Sequence, residues 1–171
     1  MVEIKSATST PRYWRNVAFM IIVFGIGTVK AQEPDSVNRK KLNKLVIGTT
    51  AGYTLAMVGL SEVWYSGFDK QSFRFFNDSK EWYQMDKLGH FYGAYQLTDI
   101  SSNALERTGI PKRKAQKIGA LTSFVMMSSI EIFDGYSSGY GASASDLIAN
   151  AAGASFFIGQ HLIWDEPRIH P

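Results

Sequence analysis

Four helix-length apolar segments, at about 38–64, 86–106, 112–133 and 144–163, constrain this chain more than any other feature. Strand signals between them are poor, and the breaks are turn chemistry: Gly109 and Pro111 between the second and third segments, Asp134-Gly135 and a Gly/Ser/Tyr stretch at 135–143 between the third and fourth. The first helix can begin near Ser36 or Asn38. The pattern predicts an all-α, up-and-down bundle of about four helices after an N-terminal signal or anchor segment. The expected division is 1–31 for the signal peptide or anchor, 32–164 for one helical domain and 165–171 for a tail.

Short connections make successive helices antiparallel, which sorts the polar residues to the two ends of the bundle. One end collects Arg39, Lys40, Lys41, Lys44, Arg107, Lys112, Arg113, Lys114 and Lys117. The other collects Asp86, Lys87, His90, Glu131, Asp134, Ser143, Asp146 and Asn150.

The N-terminus reads as an export address. Arg12 and Arg15 precede the uncharged run from Val17 to Val29, and Val29-Lys30-Ala31 resembles a cleavage site before the polar Gln32-Glu33-Pro34. That run is short for a membrane span, which favours a removed signal over an uncleaved anchor. The net charge of +3 sits there too: Lys5, Arg12, Arg15 and Lys30 against Glu3 leave 14 basic and 14 acidic residues over 32–171. A balanced domain lacks the basic surplus that displaces counterions from a polyanion, so nucleic acid is excluded as a partner. Membrane lipid or an envelope protein is the expected partner, in the periplasm or membrane-associated. With no cysteine, thiolate catalysis, thiolate metal sites and disulfides are excluded.

Two further patterns bear on the membrane. Gly48, Gly52 and Ala56, and again Ala151, Ser155 and Gly159, are spaced to let helix backbones approach closely. The connection from Trp64 to Tyr83 also holds Tyr65, Phe68, Phe73, Phe75, Phe76 and Trp82, which suits either an interfacial belt or a loop packed over the bundle end. A periplasmic domain lying against a membrane is expected, with an inserted bundle as the rival.

The acidic end carries whatever chemistry there is. Asp86 and His90, one turn apart, suit a metal-ligand pair or a base with its orienter, and equally an N-cap beside a core histidine. Glu131 and Asp134 oppose the negative end of a helix dipole and need a partner. Ser143 and Asp146 have capping-box spacing, and Asn150 one turn on must find hydrogen bonds on the second or third helix. Three readings stay open: a structural polar network, a metal or acid/base site, and recognition of a polar ligand. No cofactor is evident; a divalent metal is the candidate, with His90, Glu131 and Asp134 as its ligands. No nucleophile motif is present, and nothing marks Ser137, Ser138, Ser143 or Ser145 as activated. His161 reads as a core or interface residue.

The run Asp86-Lys87-Leu88-Gly89-His90-Phe91, the pair Glu131 and Asp134, and Ser143-Ala144-Ser145-Asp146-Leu147 with Asn150, Gly153 and Ala154 resemble the YfiM-like family of periplasmic lipoproteins. More distantly they are similar to VanZ-like membrane proteins. The resemblance covers about 84–160 and implies an envelope helical domain of uncharacterised biochemistry. With no lipoprotein cysteine here, membrane association would come from apolar or basic surface. The arginine and glutamine that VanZ-like proteins carry before the final helix are absent, and Asp134 stands nearby instead.

Overall fold

A computed structural model describes residues 37–78 and 84–171. The expected signal or anchor at 1–31, together with Trp82 and Tyr83, lies outside these residues. Four helices follow one another: α1 Arg39–Trp64, α2 Met85–Glu106, α3 Lys112–Gly135 and α4 Ala144–Trp164. Among the described residues there are no strands, only two isolated bridges, Lys70 with Ser137 and Phe75 with Ala142.

Local chemistry sets most boundaries. Asn38 caps α1 by accepting from Lys41 N–H at 2.9 Å, and Ser143 caps α4 by accepting from Asp146 N–H at 3.2 Å. Gly109 turns the chain between α2 and α3 with φ of 92°, and Pro111 is the N-cap of α3. The start of α2 departs from expectation. Its N-cap is Gln84 in the left-handed region, and Asp86 stands inside the first turn, where its charge meets the helix dipole without capping. The third helix also continues through Asp134-Gly135, with Tyr136 as its C-cap.

The antiparallel threading is as expected. Asn38 N–H donates to Thr108 O at 2.7 Å, joining the start of α1 to the α2–α3 turn, while Phe76 N–H donates to Ala142 O at 2.9 Å and Ser138 N–H to Asp69 O at 2.9 Å at the opposite end. Basic and acidic ends are therefore separate.

The packing is uneven. Helices α2, α3 and α4 form a tight core, whereas α1 stands off from it and is tied mainly through side chains: Tyr53 OH to Met126 O and Ser129 Oγ, and Tyr65 OH to Asp134. The expected small-residue stripes do not bring these helices together. Nothing lies within 4 Å of a Cβ built at Gly48, Gly52 or Gly159, and Ala151 and Ser155 are exposed. A different set makes the close contacts. Ala94, Thr98 and Ser102 on α2 face Ala115, Gly119 and Ser123 on α3; a Cβ at Gly119 would sit 2.9 Å from Ser102 N, and Ser123 Oγ donates to Ala94 O at 2.7 Å. Thr98 and Ser102 satisfy their own hydroxyls on carbonyls one turn back, at 2.7 and 2.6 Å.

Gly135 at the end of α3 and two glycines of the α3–α4 connection seat the aromatic rings of the α1–α2 connection. Phe73 lies over Gly135, Phe68 over Gly139 and Phe76 over Gly141, with Phe73 edge-on to Tyr136 at 5.3 Å. Beyond α4 the tail is also fixed. Buried Gln160 accepts from Arg168 and Ile169 N–H at 2.9 and 2.6 Å and donates to Ile169 O at 3.0 Å.

Candidate functional site

The acidic end is built from the first turns of α2 and α4, the last turn of α3 and Asp78 of the connection. Asp86, Lys87 and His90 come from α2, Glu131 and Asp134 from α3, and Ser143, Asp146 and Asn150 from the start of α4. His90, Glu131, Asp146 and Asn150 are buried among the helices, whereas the Asp86 side chain is 52% exposed and forms the outer edge.

His90 is the hub. Its Nδ1 lies 3.0 Å from Asn150 Oδ1, while Nε2 lies 3.3 Å from Glu131 Oε1 and 3.8 Å from Asp86 Oδ1. Glu131 is held from its other oxygen, which accepts Ser143 N–H at 2.8 Å. In a closed capping box the residue three on would take that N–H. Here α3 supplies the acceptor, so the α4 cap is completed by another helix and the Asp146 carboxylate is left for other contacts.

Those contacts are a second charge group. Lys87 Nζ bridges Asp78 Oδ2 at 2.9 Å and Asp146 Oδ1 at 3.2 Å, and Asp78 Oδ1 accepts from Ser143 Oγ and Ser145 Oγ at 2.9 and 3.0 Å. The serine hydroxyls thus serve a carboxylate, and neither has an imidazole to activate it among these contacts. Sequence reasoning missed Asp78 because it lies in an aromatic-rich connection with no local pattern around it.

Asp134 is placed differently from the other acids. It accepts from Tyr65 OH at 2.6 Å, tying α1 to α3, and the compact set of metal-capable ligand atoms is Asp86, His90 and Asp146, all within 4.8 Å of one another. His161 lies apart on α4, its ring 4.4 Å from that of Phe157, and His170 is exposed in the tail.

Burial and crowding of like charge set the proton affinities. Burial pushes the Glu131 carboxyl up to about 7; Ser143 N–H and His90 oppose the shift, and Asp146 and Asp134 add to it. Burial likewise lifts Asp134 to about 6, against the Tyr65 hydrogen bond and His90. Burial raises Asp146, and its shared contact with Asp78 adds to the rise. For Asp78 burial also pulls upward, but hydrogen bonds from Lys87, Asp146, Ser143 and Ser145 prevail and hold it at about 2. Burial works against the Lys87 ammonium, yet its two carboxylates raise it. Five carboxyl groups thus crowd around one lysine, and burial with like-charge repulsion favours the protonated forms of Glu131, Asp134 and Asp146.

Three buried atoms have no hydrogen-bond partner in this region: Glu131 Oε1, Asp146 Oδ1 and Asn150 Nδ2. Glu131 Oε1 lies 3.3 Å from His90 Nε2 and Asp146 Oδ1 lies 3.2 Å from Lys87 Nζ, close contacts without aligned hydrogen bonds.

Neither a curated protein nor a solved structure matches the chain. A family model does, over residues 74–159, half of the 171 residues; it takes in α2, α3, most of α4 and every polar residue of the site, and leaves α1 outside. The chain belongs to that family, the predicted periplasmic lipoproteins DUF2279, and is an exported, envelope-associated protein.

Proposed function

We propose that this protein is a non-enzymatic envelope domain that lies against lipid through α1 and the aromatic connection, with the acidic end locking α2, α3 and α4 in register. The observation that carries the reading is the exposure of α1. Val46, Ile47, Leu55, Val63 and Trp64 are all more than half exposed on a helix that scarcely packs against its own domain. The exposed rings of Phe73, Phe75 and Phe76 extend this apolar surface past the end of α1. Large exposed apolar side chains gathered on one element and its connection mark a membrane or protein interaction site.

Charge supports lipid as the cover. The first turns of α1 and α3 carry exposed Lys40, Lys41, Lys44, Arg113 and Lys117 at one end, suited to anionic headgroups, and aromatic rings stand at the other. A lateral arrangement fits better than a VanZ-like bundle of spanning helices. Among the described residues only α3 is long and apolar enough to cross a membrane.

Vesicle flotation tests this. Tag-free protein lacking residues 1–31 should float with phosphatidylglycerol-containing vesicles and should need detergent to stay monodisperse. Monodispersity in plain buffer with no flotation would overturn the proposal. A second reading, a small acid/base enzyme acting on an envelope lipid or cell-wall component, draws on the Glu131 carboxyl, which titrates near neutrality beside His90.

A further inference from the structure

The His90 contacts carry an inference separate from the lipid surface. With Asn150 Oδ1 as acceptor at 3.0 Å, a neutral imidazole carries its proton on Nδ1, which leaves the Nε2 lone pair directed into the cluster. That lone pair faces two carboxylate oxygens, Glu131 Oε1 at 3.3 Å and Asp86 Oδ1 at 3.8 Å. Lone pairs facing at such distances repel unless a proton or a cation lies between them. Glu131 is 2% exposed, and this oxygen has no hydrogen-bond partner.

We propose that His90 Nε2, Asp86 and Asp146 bind one borderline divalent cation of the Zn2+ type, with Glu131 Oε1 at the fourth position. Zn–N and Zn–O bonds of about 2.0–2.2 Å in a tetrahedron put ligand atoms roughly 3.4 Å apart, the spacing at which His90 Nε2 already meets its two carboxylates. Asp86, His90 and Asp146 offer ligand atoms within 4.8 Å of one another, so modest side-chain rotation closes the set. One imidazole among carboxylates favours Zn2+ or Mn2+ over Mg2+ or Ca2+.

The surroundings fit the cation. Asn150 orients the imidazole through its distal nitrogen, the arrangement that fixes metal-bound histidines. Ser143 N–H holds the far oxygen of Glu131, leaving Oε1 turned to the site. Lys87 can release Asp146 and keep Asp78, its closer partner at 2.9 Å. Two positive charges would also relieve the acid excess. Asp134, held by Tyr65, stays outside the set.

The test is Zn2+ titration of tag-free, chelator-stripped protein in competition with a chromophoric zinc indicator, repeated with Mn2+. One Zn2+ per chain is expected, with a rise in Tm on binding. Asp86→Asn alters the exposed ligand, so it should shift the metal-free Tm by no more than loss of a helix-dipole charge does and weaken Zn2+ binding by about 10-fold or more. Asp134→Asn and His170→Ala should bind as the parent does. No stoichiometric Zn2+, parental affinity in Asp86→Asn, or equal weakening by Asp134→Asn would each overturn the site. Vesicle flotation without metal reports on the lipid surface alone, so the two proposals fail separately.

Discussion

Gly153 of α4 lies directly on the backbone of Phe91 in α2: a Cβ at 153 would come within 2.9 Å of the Phe91 carbonyl carbon, closer still to its oxygen, and 3.1 Å from Tyr95 N. Backbone cannot yield as a flexible side chain does. The start of α4, and with it Asp146 and Asn150, is positioned by this contact.

Gly153→Ala should therefore destabilise the protein by about 1–3 kcal/mol through overpacking, read as a fall in the denaturant midpoint. Gly52→Ala makes the contrast. It adds a methyl to open space in a helix interior and should be neutral or stabilise by up to about 1 kcal/mol. Equal losses at both positions would contradict the packing described.

Lys87→Met removes the cation between Asp78 and Asp146 and leaves two carboxylates facing a low-dielectric interior. Breaking a buried pair from one side costs on the order of 3 kcal/mol. The Lys87 and Asp146 side chains are 13% and 3% exposed, so solvent does little to soften the loss. Thermal unfolding at pH 7 should show a Tm several degrees lower, and recovery at pH 4 as the acids protonate.

Stability should decline from mildly acidic to neutral pH. Glu131 titrates at about 7 in the fold against an ordinary 4.5, and Asp134 at about 6 against 3.8. Between those values the native state holds protons that the unfolded chain has lost, so unfolding free energy falls as pH rises through about 4 to 7. Asp78, held at about 2, has the opposite sign, and its contribution is lost as pH falls below about 4. A maximum near pH 4–5 follows. Glu131→Gln should flatten the decline toward pH 7 in Tm measurements, and a pH profile unchanged by that substitution would refute the assignment.

Leu55→Glu and Val63→Glu place charge on α1 where the side chains are 72% and 81% exposed. Folding stability should change by less than about 0.5 kcal/mol, because no neighbour is lost. Vesicle flotation should fall sharply. A large Tm loss with flotation intact would instead mean that these residues pack inside the domain.

Gln160→Ala should release the tail. Its carboxamide holds the amides of Arg168 and Ile169 at 2.9 and 2.6 Å, so hydrogen exchange at those two amides should accelerate, at a stability cost of about 1 kcal/mol. Protection that survives the substitution would place the tail's anchorage elsewhere.

Local chemistry was sufficient for much of this architecture. Apolar periodicity with Asn38, Ser143, Gly109 and Pro111 defined the four helices to within a few residues, because caps and breakers act on their own neighbours. The short connections after α2 and α3 then favoured antiparallel threading, which sorted basic from acidic residues and brought Asp86, His90, Glu131, Asp146 and Asn150 to one end. Tertiary structure decided which small residues touch: Gly119 and Gly153 meet another backbone, while Gly48, Gly52 and Gly159, equally well spaced, meet nothing. It also brought in Asp78 across 68 residues from Asp146, gave Asp134 to Tyr65, and fastened the tail to Gln160. Spacing along a helix fixes the face a residue shares with its neighbours in sequence, but which other segment reaches that face depends on how rigid helices and their connections pack in three dimensions.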